Sequence, residues 1–393
     1  MIITSLLDTD LYKITQQSVA LFGRYAGIDY QNVEARYAFI NRGQTQFPEG
    51  FASKLQAEIN CLADLSLINN EHDWLINHCP FIKPAFLDWL KSFRFDPIKE
   101  VDIQQVGGEL SLTIKGPWYR TILYEVPLMA IMSELYFREK GLSPDSEWKN
   151  RCLNKARNLE SYDVNVADFG TRRRFSLEVH DQVVQIMKDN CSTFSGSSNI
   201  GLAMKYGIKP IGTHAHELFM FHAALFGYRF ANHHSLQAWV DEYQGDLGIA
   251  LTDTFTTDVF FRDFSKVFAK LFDGCRHDSN SAIKFAEKAI TYYESMDIDP
   301  LTKTIVFSDA LTDDKAIKIK RWCEGKIKCS FGIGTSFTNS CGHTPLNMVI
   351  KMVGVEYKGR YYPTVKLSDV PGKETGDPKE IELCKRILGI RSS

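Results

Sequence analysis

Long apolar runs are missing from this sequence: no segment approaches the roughly 18 consecutive apolar residues needed to span a bilayer. CxxC pairs are missing too. The nine cysteines at 61, 79, 152, 191, 275, 323, 329, 341 and 384 are odd in number, which fits a reduced protein better than a disulfide framework. Charge of one sign is not in excess. With 46 basic and 48 acidic residues the formal net charge is −2, so no overall field gathers nucleic acid or an anionic membrane, and any anion site must be a local cluster. The opening MIITSLLDTDLYK is too acidic, and too short in its apolar run, for a signal peptide. A cytoplasmic protein is expected. Low-complexity tracts and clear linkers are lacking as well. What remains is 393 residues, 44% hydrophobic and 24% charged, enough for one large α/β barrel with an attached layer or for two ordinary domains.

Leu11, Ile14, Ser18 and Phe22 recur at helical spacing and predict a first helix over 9–22, capped by Asp8 or Thr9. Residues 30–42 alternate like a strand. Segments 51–66 and 81–94 read as helices, 101–115 as a hairpin about Gly107-Gly108, and 119–140 as a long apolar helix. From about residue 163 a unit repeats: a short apolar run, a polar cluster, then an amphipathic helix. The runs lie at 164–169, 191–194, 208–211, 247–251, 272–275, 304–307 and 328–331; the clearest helices are 171–188 and 281–296. Such alternation predicts a parallel sheet, closed or nearly closed into a barrel, with a doubly wound open sheet as the alternative. Segments 347–353 and 361–368 read as strands that return to the N-terminal layer.

In either architecture ligands gather beyond the carboxyl ends of the strands. Those ends carry Asp168-Phe-Gly-Thr-Arg-Arg-Arg174, Ser195-Gly-Ser-Ser-Asn199, Thr213-His-Ala-His-Glu217, Asp253-Thr254, Arg276-His-Asp-Ser279, Ser308-Asp309 and Gly332-Ile-Gly-Thr335. Arg172, Arg173 and Arg174 are expected in the first turn of a helix. Cations there oppose the dipole, and a bound phosphate would offset them, although at least one of the three is expected to be structural. Gly332-Ile-Gly-Thr335 and the serine loop fit phosphate contacts, or equally a tight turn and a helix cap. His214 and His216 have the spacing of a metal pair, or one of them is a nucleophile for a phosphoryl group, oriented by Glu217 or a nearby aspartate. Asp253, Asp278 and Asp309 fit ribose hydroxyls, an Mg²⁺–diphosphate, or plain helix capping.

Ten motifs together carry a resemblance: DTDLYK at 8–13, GPW at 116–118, EVPL at 125–128, DFGTRRR at 168–174, GTHAHE at 212–217, LGIALTDT at 247–254, RHDS at 276–279, VFSD at 306–309, FGIGT at 331–335 and KLSD at 366–369. In this order they resemble the nicotinate phosphoribosyltransferase family, closest to its shorter bacterial and fungal form. The resemblance implies an irregular α/β barrel of the type II phosphoribosyltransferase kind. Its expected extent is 116–339, packed on a layer of residues 1–115 and 340–393. It implies that nicotinate and 5-phosphoribosyl 1-diphosphate form nicotinate mononucleotide and diphosphate, the first step of NAD biosynthesis from nicotinate. ATP is the co-substrate, hydrolysed through a phosphohistidine matching His216, with Mg²⁺ as cofactor and no residue assigned as its ligand. Tyr12 and Phe169 match the aromatic walls of the base pocket, Tyr12 reaching across the interface of a homodimer. Arg172, Thr213, Arg276 and Thr335 match further substrate contacts, and Asp309, Gly332 and Gly334 the ribosyl 5-phosphate region. His214 falls on a variable position. After RHDS the family has Gly-Asp and this chain has Asn280-Ser281, which puts ribose or diphosphate contacts there in question. Rival expectations are a nicotinamide or quinolinate phosphoribosyltransferase, a metal-dependent hydrolase using both histidines, and a non-catalytic ligand-binding relative.

Overall fold

Two sheets divide nearly all the strands between them. The computed structural model describes residues 1–370 and 372–390. Helix α1 (Leu11–Phe22) leads to strand β1 (Glu34–Asn41), helices at 51–60, 69–78 and 84–92, and the hairpin β2 (Val101–Val106) and β3 (Glu109–Pro117). Gly107 makes that turn at φ +59°, a conformation glycine adopts without strain. Along β3 every second residue is buried, which puts Leu110, Leu112 and Ile114 on the core face. Much later, β11 (Met348–Tyr357) and β12 (Arg360–Pro363) join the same antiparallel sheet, in the order β12-β11-β1-β3-β2 once those strands are placed. The layer is therefore built from both ends of the chain.

Between them lies the repeating part. Helices α2 (Glu125–Glu139) and α3 (Trp148–Ser161) precede β4 (Val166–Asp168), α4 (Leu177–Asn190), β5 (Phe194–Ser197), β6 (Lys209–Pro210), α5 (His216–Phe226), β7 (Ile249–Leu251), β8 (Gly274–His277), α6 (Ala282–Ser295), β9 (Thr304–Phe307), α7 (Asp313–Cys323) and β10 (Lys328–Ile333). These seven strands are all parallel, in the order β6-β5-β4-β10-β9-β8-β7. The sheet curls but does not close: β6 and β7 are its free edges, and the chain between them forms α5 and a helix at 231–243. Helix α5 packs on β11 of the layer. Burial along the strands is one-sided. Ile305, Phe307, Phe331, Ala250 and Cys275 are buried, whereas Thr304, Val306 and Ser330 remain partly exposed on the opposite, concave face.

Two sequence expectations shift in register. The predicted strand at 191–194 runs instead from Phe194 to Ser197. The predicted helix at 171–188 begins only at Leu177, because Ser176 is extended and caps it, its hydroxyl accepting from Val179 N at 3.1 Å. Residues 171–173 form a separate single turn. Helices at 69–78 and 148–161 were not expected.

Candidate active site

Between the concave face of the half-barrel and the layer lies a cavity of about 920 Å³. The residues that line it include Tyr12, Phe169, Arg172, Thr213, His216, Arg276 and Asp309, seven of the expected site residues. Gly332, Gly334 and Thr335 are not on that lining. The two glycines pack against Phe169, which does line it: a Cβ on Gly332 would sit 2.3 Å from the Phe169 ring, and one on Gly334 2.9 Å from the Phe169 carbonyl oxygen. These glycines let Phe169 approach β10, and the contact seen is with protein.

His216 opens α5 and is 7% exposed. Its Nδ1 lies 3.1 Å from Thr254 Oγ1, and its Nε2 lies 3.1 Å from Asp278 Oδ2 and 3.7 Å from Asp253 Oδ1. Burial, with the Lys366 ammonium nearby, pushes its pKa down to about 4 against the pull of the two aspartates. The ring is thus neutral near pH 7, with a lone pair available. Asp278 is held well below the usual carboxylate range: burial alone would raise it, but Arg276 and His216 outweigh that. Arg276 donates to Asp278 at 3.1 Å and to Ser308 at 2.9 Å. Ser279 donates to Asp253 at 2.8 Å.

Glu217, expected as a possible partner of His216, does something else. It accepts from Tyr37 at 2.8 Å, from Trp118 Nε1 at 2.9 Å, and from Lys13. Lys13 is fully buried and also pairs with Glu125 at 2.7 Å. One ammonium between two carboxylates ties α1, α2 and α5 together beneath the cavity. His214 stacks edge-on to Trp239, its centroid 4.8 Å away, and neither ring nitrogen has a hydrogen-bond partner. It is sealed away from the cavity that His216 faces, and the two rings do not form a metal pair.

The three arginines separate by role. None stands in the first turn of α4, since Ser176 starts that helix, so the dipole argument from sequence does not apply. Arg174 is fully buried and makes a two-pronged pair with Asp8, at 2.6 and 2.7 Å. Arg172 donates to Glu125 at 3.3 Å and lies 5.9 Å from the Tyr12 ring centroid. Arg173 lines the cavity, and burial plus the neighbouring Arg172 and Arg42 push its pKa down to about 10. Tyr12 faces the cavity of its own chain, its hydroxyl 3.4 Å from Glu125. Ser195 and Ser198 line the cavity too, Ser198 donating to Asp10 at 2.8 Å, while Ser197 donates to Asp168 and belongs to the framework.

The layer supplies cations that sequence reasoning missed. Arg42, just after β1, and Lys351, on β11, both line the cavity, as do Lys366 and Lys373. Burial lowers the Lys351 pKa to about 8. Glu125 opposes the shift, and Lys366, Arg172 and Arg42 add to it. Lys366 reaches Asp253 at 3.4 Å. Cations so crowded repel one another until an anion lies among them. The only trace in the sequence was the KLSD motif.

His216, Asp253 and Asp278 form the one group of metal-ligand geometry found among the described residues, their donor atoms within 4.8 Å of one another. Asp253 Oδ1 is buried with no hydrogen-bond partner. Hard carboxylate oxygens of this kind fit Mg²⁺. Asn280 has φ +73°, left-handed backbone that asparagine tolerates better than most residues, and Ser281 stands at the cap position of α6.

The chain matches the family model described as the nicotinate phosphoribosyltransferase (NAPRTase) family over residues 164–391, and the model for the N-terminal domain of that family over residues 7–133. It is 52% identical over 390 residues to a nicotinate phosphoribosyltransferase of Chromohalobacter salexigens, covering 98% of each chain. A relative of the same name from Methanosarcina acetivorans is 43% identical over 408 residues, with 98% of each covered. Among solved structures, a nicotinate phosphoribosyltransferase of Porphyromonas gingivalis superposes with a TM-score of 0.95 at 43% identity, covering 99% of this chain and 100% of that one. One from Vibrio cholerae gives 0.92 at 35%, covering 100% and 95%.

Proposed function

The chain belongs to the nicotinate phosphoribosyltransferase family, and from that premise we propose that it transfers the phosphoribosyl group of 5-phosphoribosyl 1-diphosphate to the ring nitrogen of nicotinate. The observation that carries the reading is a neutral histidine, His216, in one cavity with two aromatic rings and a crowd of cations. The pyridine nitrogen attacks C1 of the ribose, the C1–O bond to diphosphate breaks, and nicotinate mononucleotide and diphosphate leave. Little acid–base chemistry is needed; positioning and charge do most of the work. Tyr12 and Phe169 hold the flat ring, and Arg172 faces its carboxylate. Thr213, Arg276 and Asp309 contact the ribosyl part. Arg42, Arg173, Lys351 and Lys366 take the phosphates.

ATP is the co-substrate. A nitrogen of His216 attacks the γ-phosphorus, the bond to ADP breaks, and water later cleaves the phosphoryl group to inorganic phosphate. The phosphoryl group adds a near-dianion beside Arg276 and Lys366, which rearranges the charges that hold diphosphate. Asp253 and Asp278, with Asp309, are the carboxylates that would hold Mg²⁺, which when bound neutralises diphosphate charge. In this reading residues 116–339 are the barrel and 1–115 with 340–393 the layer. Tyr12 lines the cavity of its own chain, and in this reading each subunit of a homodimer uses its own Tyr12. The enzyme works in the cytoplasm, at the entry of nicotinate into NAD synthesis; no helix among the described residues is long and apolar enough to cross a membrane.

The test is product formation from radiolabelled nicotinate, phosphoribosyl diphosphate and Mg²⁺, with and without ATP, with nicotinamide in parallel. Nicotinate mononucleotide raised by ATP, and none from nicotinamide, is the expected result. No product from either base would overturn the reading.

A further inference from the structure

Ordinary α/β barrels fill their interior with layers of bulky branched side chains. This half-barrel does not. The same cavity is lined by the residue just before and the residue just after each of two strands, Asn165 and Phe169 around β4 and Asp273 and Asp278 around β8, and on a third, β9, by its first residue, Thr304, and the residue after its end, Ser308. A void touching both ends of a strand runs along its whole length. The concave wall between the ends is Thr304, Val306, Ser330 and Ser195, small side chains left partly exposed in mid-sheet while their outward neighbours are buried. The cavity therefore has two mouths. The front one, at the carboxyl ends of the strands, carries His216, Lys366 and the layer's cations, with Arg276 set back on β8 at the level of Val306. The rear one, at the amino ends, has Lys209 as its single lining cation, exposed on the edge strand β6, with Asp246 and Asp273 by the other edge.

We propose that nicotinate reaches its pocket through this rear mouth, along the concave face of the half-barrel, while phosphoribosyl diphosphate and ATP use the front. The inference rests on the functional reading above. Its chemistry is selective. Beyond Lys209 the first cation along the wall is Arg276, level with Val306 and already bound to Asp278 and Ser308, so a triphosphate or diphosphate entering from behind would shed its hydration with little to replace it. A flat monocarboxylate sheds far less and slides past hydroxyl and methyl groups. Lys209 supplies the steering charge. The route also solves an access problem, because phosphates bound among the front cations would cover the base pocket.

Three variants test it: Lys209→Glu at the mouth, and Ser330→Trp and Val306→Trp as plugs in the wall. Lys209 is exposed on an edge strand, so that variant keeps the test valid should either tryptophan disturb folding. Expected is a fall of about tenfold in kcat/KM for nicotinate, with kcat/KM for phosphoribosyl diphosphate and ATP-stimulated kcat unchanged. The Lys209→Glu loss should shrink at high salt, whereas the losses caused by the plugs should not. Unchanged kcat/KM for nicotinate in Lys209→Glu and in a folded plug variant would overturn the route, as would equal losses for both substrates. If the wild-type enzyme forms no product from nicotinate at all, the functional reading falls and this inference falls with it.

Discussion

At the scale of single residues, two histidines two positions apart have opposite fates. His214 is sealed against Trp239 with both nitrogens unpartnered and a pKa pushed down to about 3, first by burial. His216 turns the other way, to Thr254, Asp253 and Asp278. His214→Phe should therefore keep ATP-stimulated turnover. His216→Ala should lose the stimulation and the acid-labile phosphoryl label from γ-labelled ATP; retention of either in His216→Ala would remove the phosphohistidine. Lys351 gives a pH signature. It carries its charge below about 8 and loses it as pH rises through that value, and a diphosphate binds the charged form. The ratio kcat/KM reports the free enzyme, so for phosphoribosyl diphosphate it should fall with a midpoint near pH 8. Lys351→Arg, with a guanidinium that stays protonated, should flatten that limb. The alternation HxH was visible in the sequence; which histidine faces the cavity was not, because periodicity does not say which way a loop turns before α5.

Elements explain why the arginine motif misled. Its spacing suits a helix start, yet the helix signal proper is Ser176 followed by Glu178, an N-cap and an acid in the first turn. The turn at 171–173 instead aims three arginines in three directions. Arg174 clamps Asp8, just ahead of α1, onto the strand–turn unit after β4. Both partners are buried, so Arg174→Met should cost about 3–5 kcal/mol in chemical denaturation, since Asp8 is left uncompensated. The double variant Asp8→Leu with Arg174→Met should cost less than the single one, by the same reasoning. A single variant within error of wild type would show that the pair contributes no stability. The parallel strands, short and β-rich, were legible as runs within a few residues. The layer strand carrying Lys351 was legible as a strand, but its facing a cavity some 135 residues beyond His216 was not, because no local pattern encodes long-range docking.

For the whole molecule, the question is how many chains make one site. The family resemblance suggested Tyr12 from a partner. The structure seats Tyr12 beside Arg172 and Glu125 of its own chain, in the cavity that His216 also lines. Its neighbour Lys13 is locked between Glu125 and Glu217, so α1 cannot swing out to another molecule without stranding a buried ammonium and two carboxylates. Gly212 confirms the closeness, since a Cβ there would lie 3.0 Å from the Tyr12 nitrogen. The chain's two ends form the layer that covers the half-barrel, and the site is built where the layer and the half-barrel meet. Ligands binding there should stabilise both sheets together: at about a hundredfold excess over Kd, phosphoribosyl diphosphate should add about 2.7 kcal/mol to a single unfolding transition. Specific activity should then stay constant on dilution through any subunit dissociation, followed by light scattering at matched concentrations. Mixing Tyr12→Ala with His216→Ala protein should restore nothing. Activity that falls as subunits separate, or that returns in the mixture, would mean that Tyr12 serves a neighbour's site and that α1 takes a different path in the assembled enzyme.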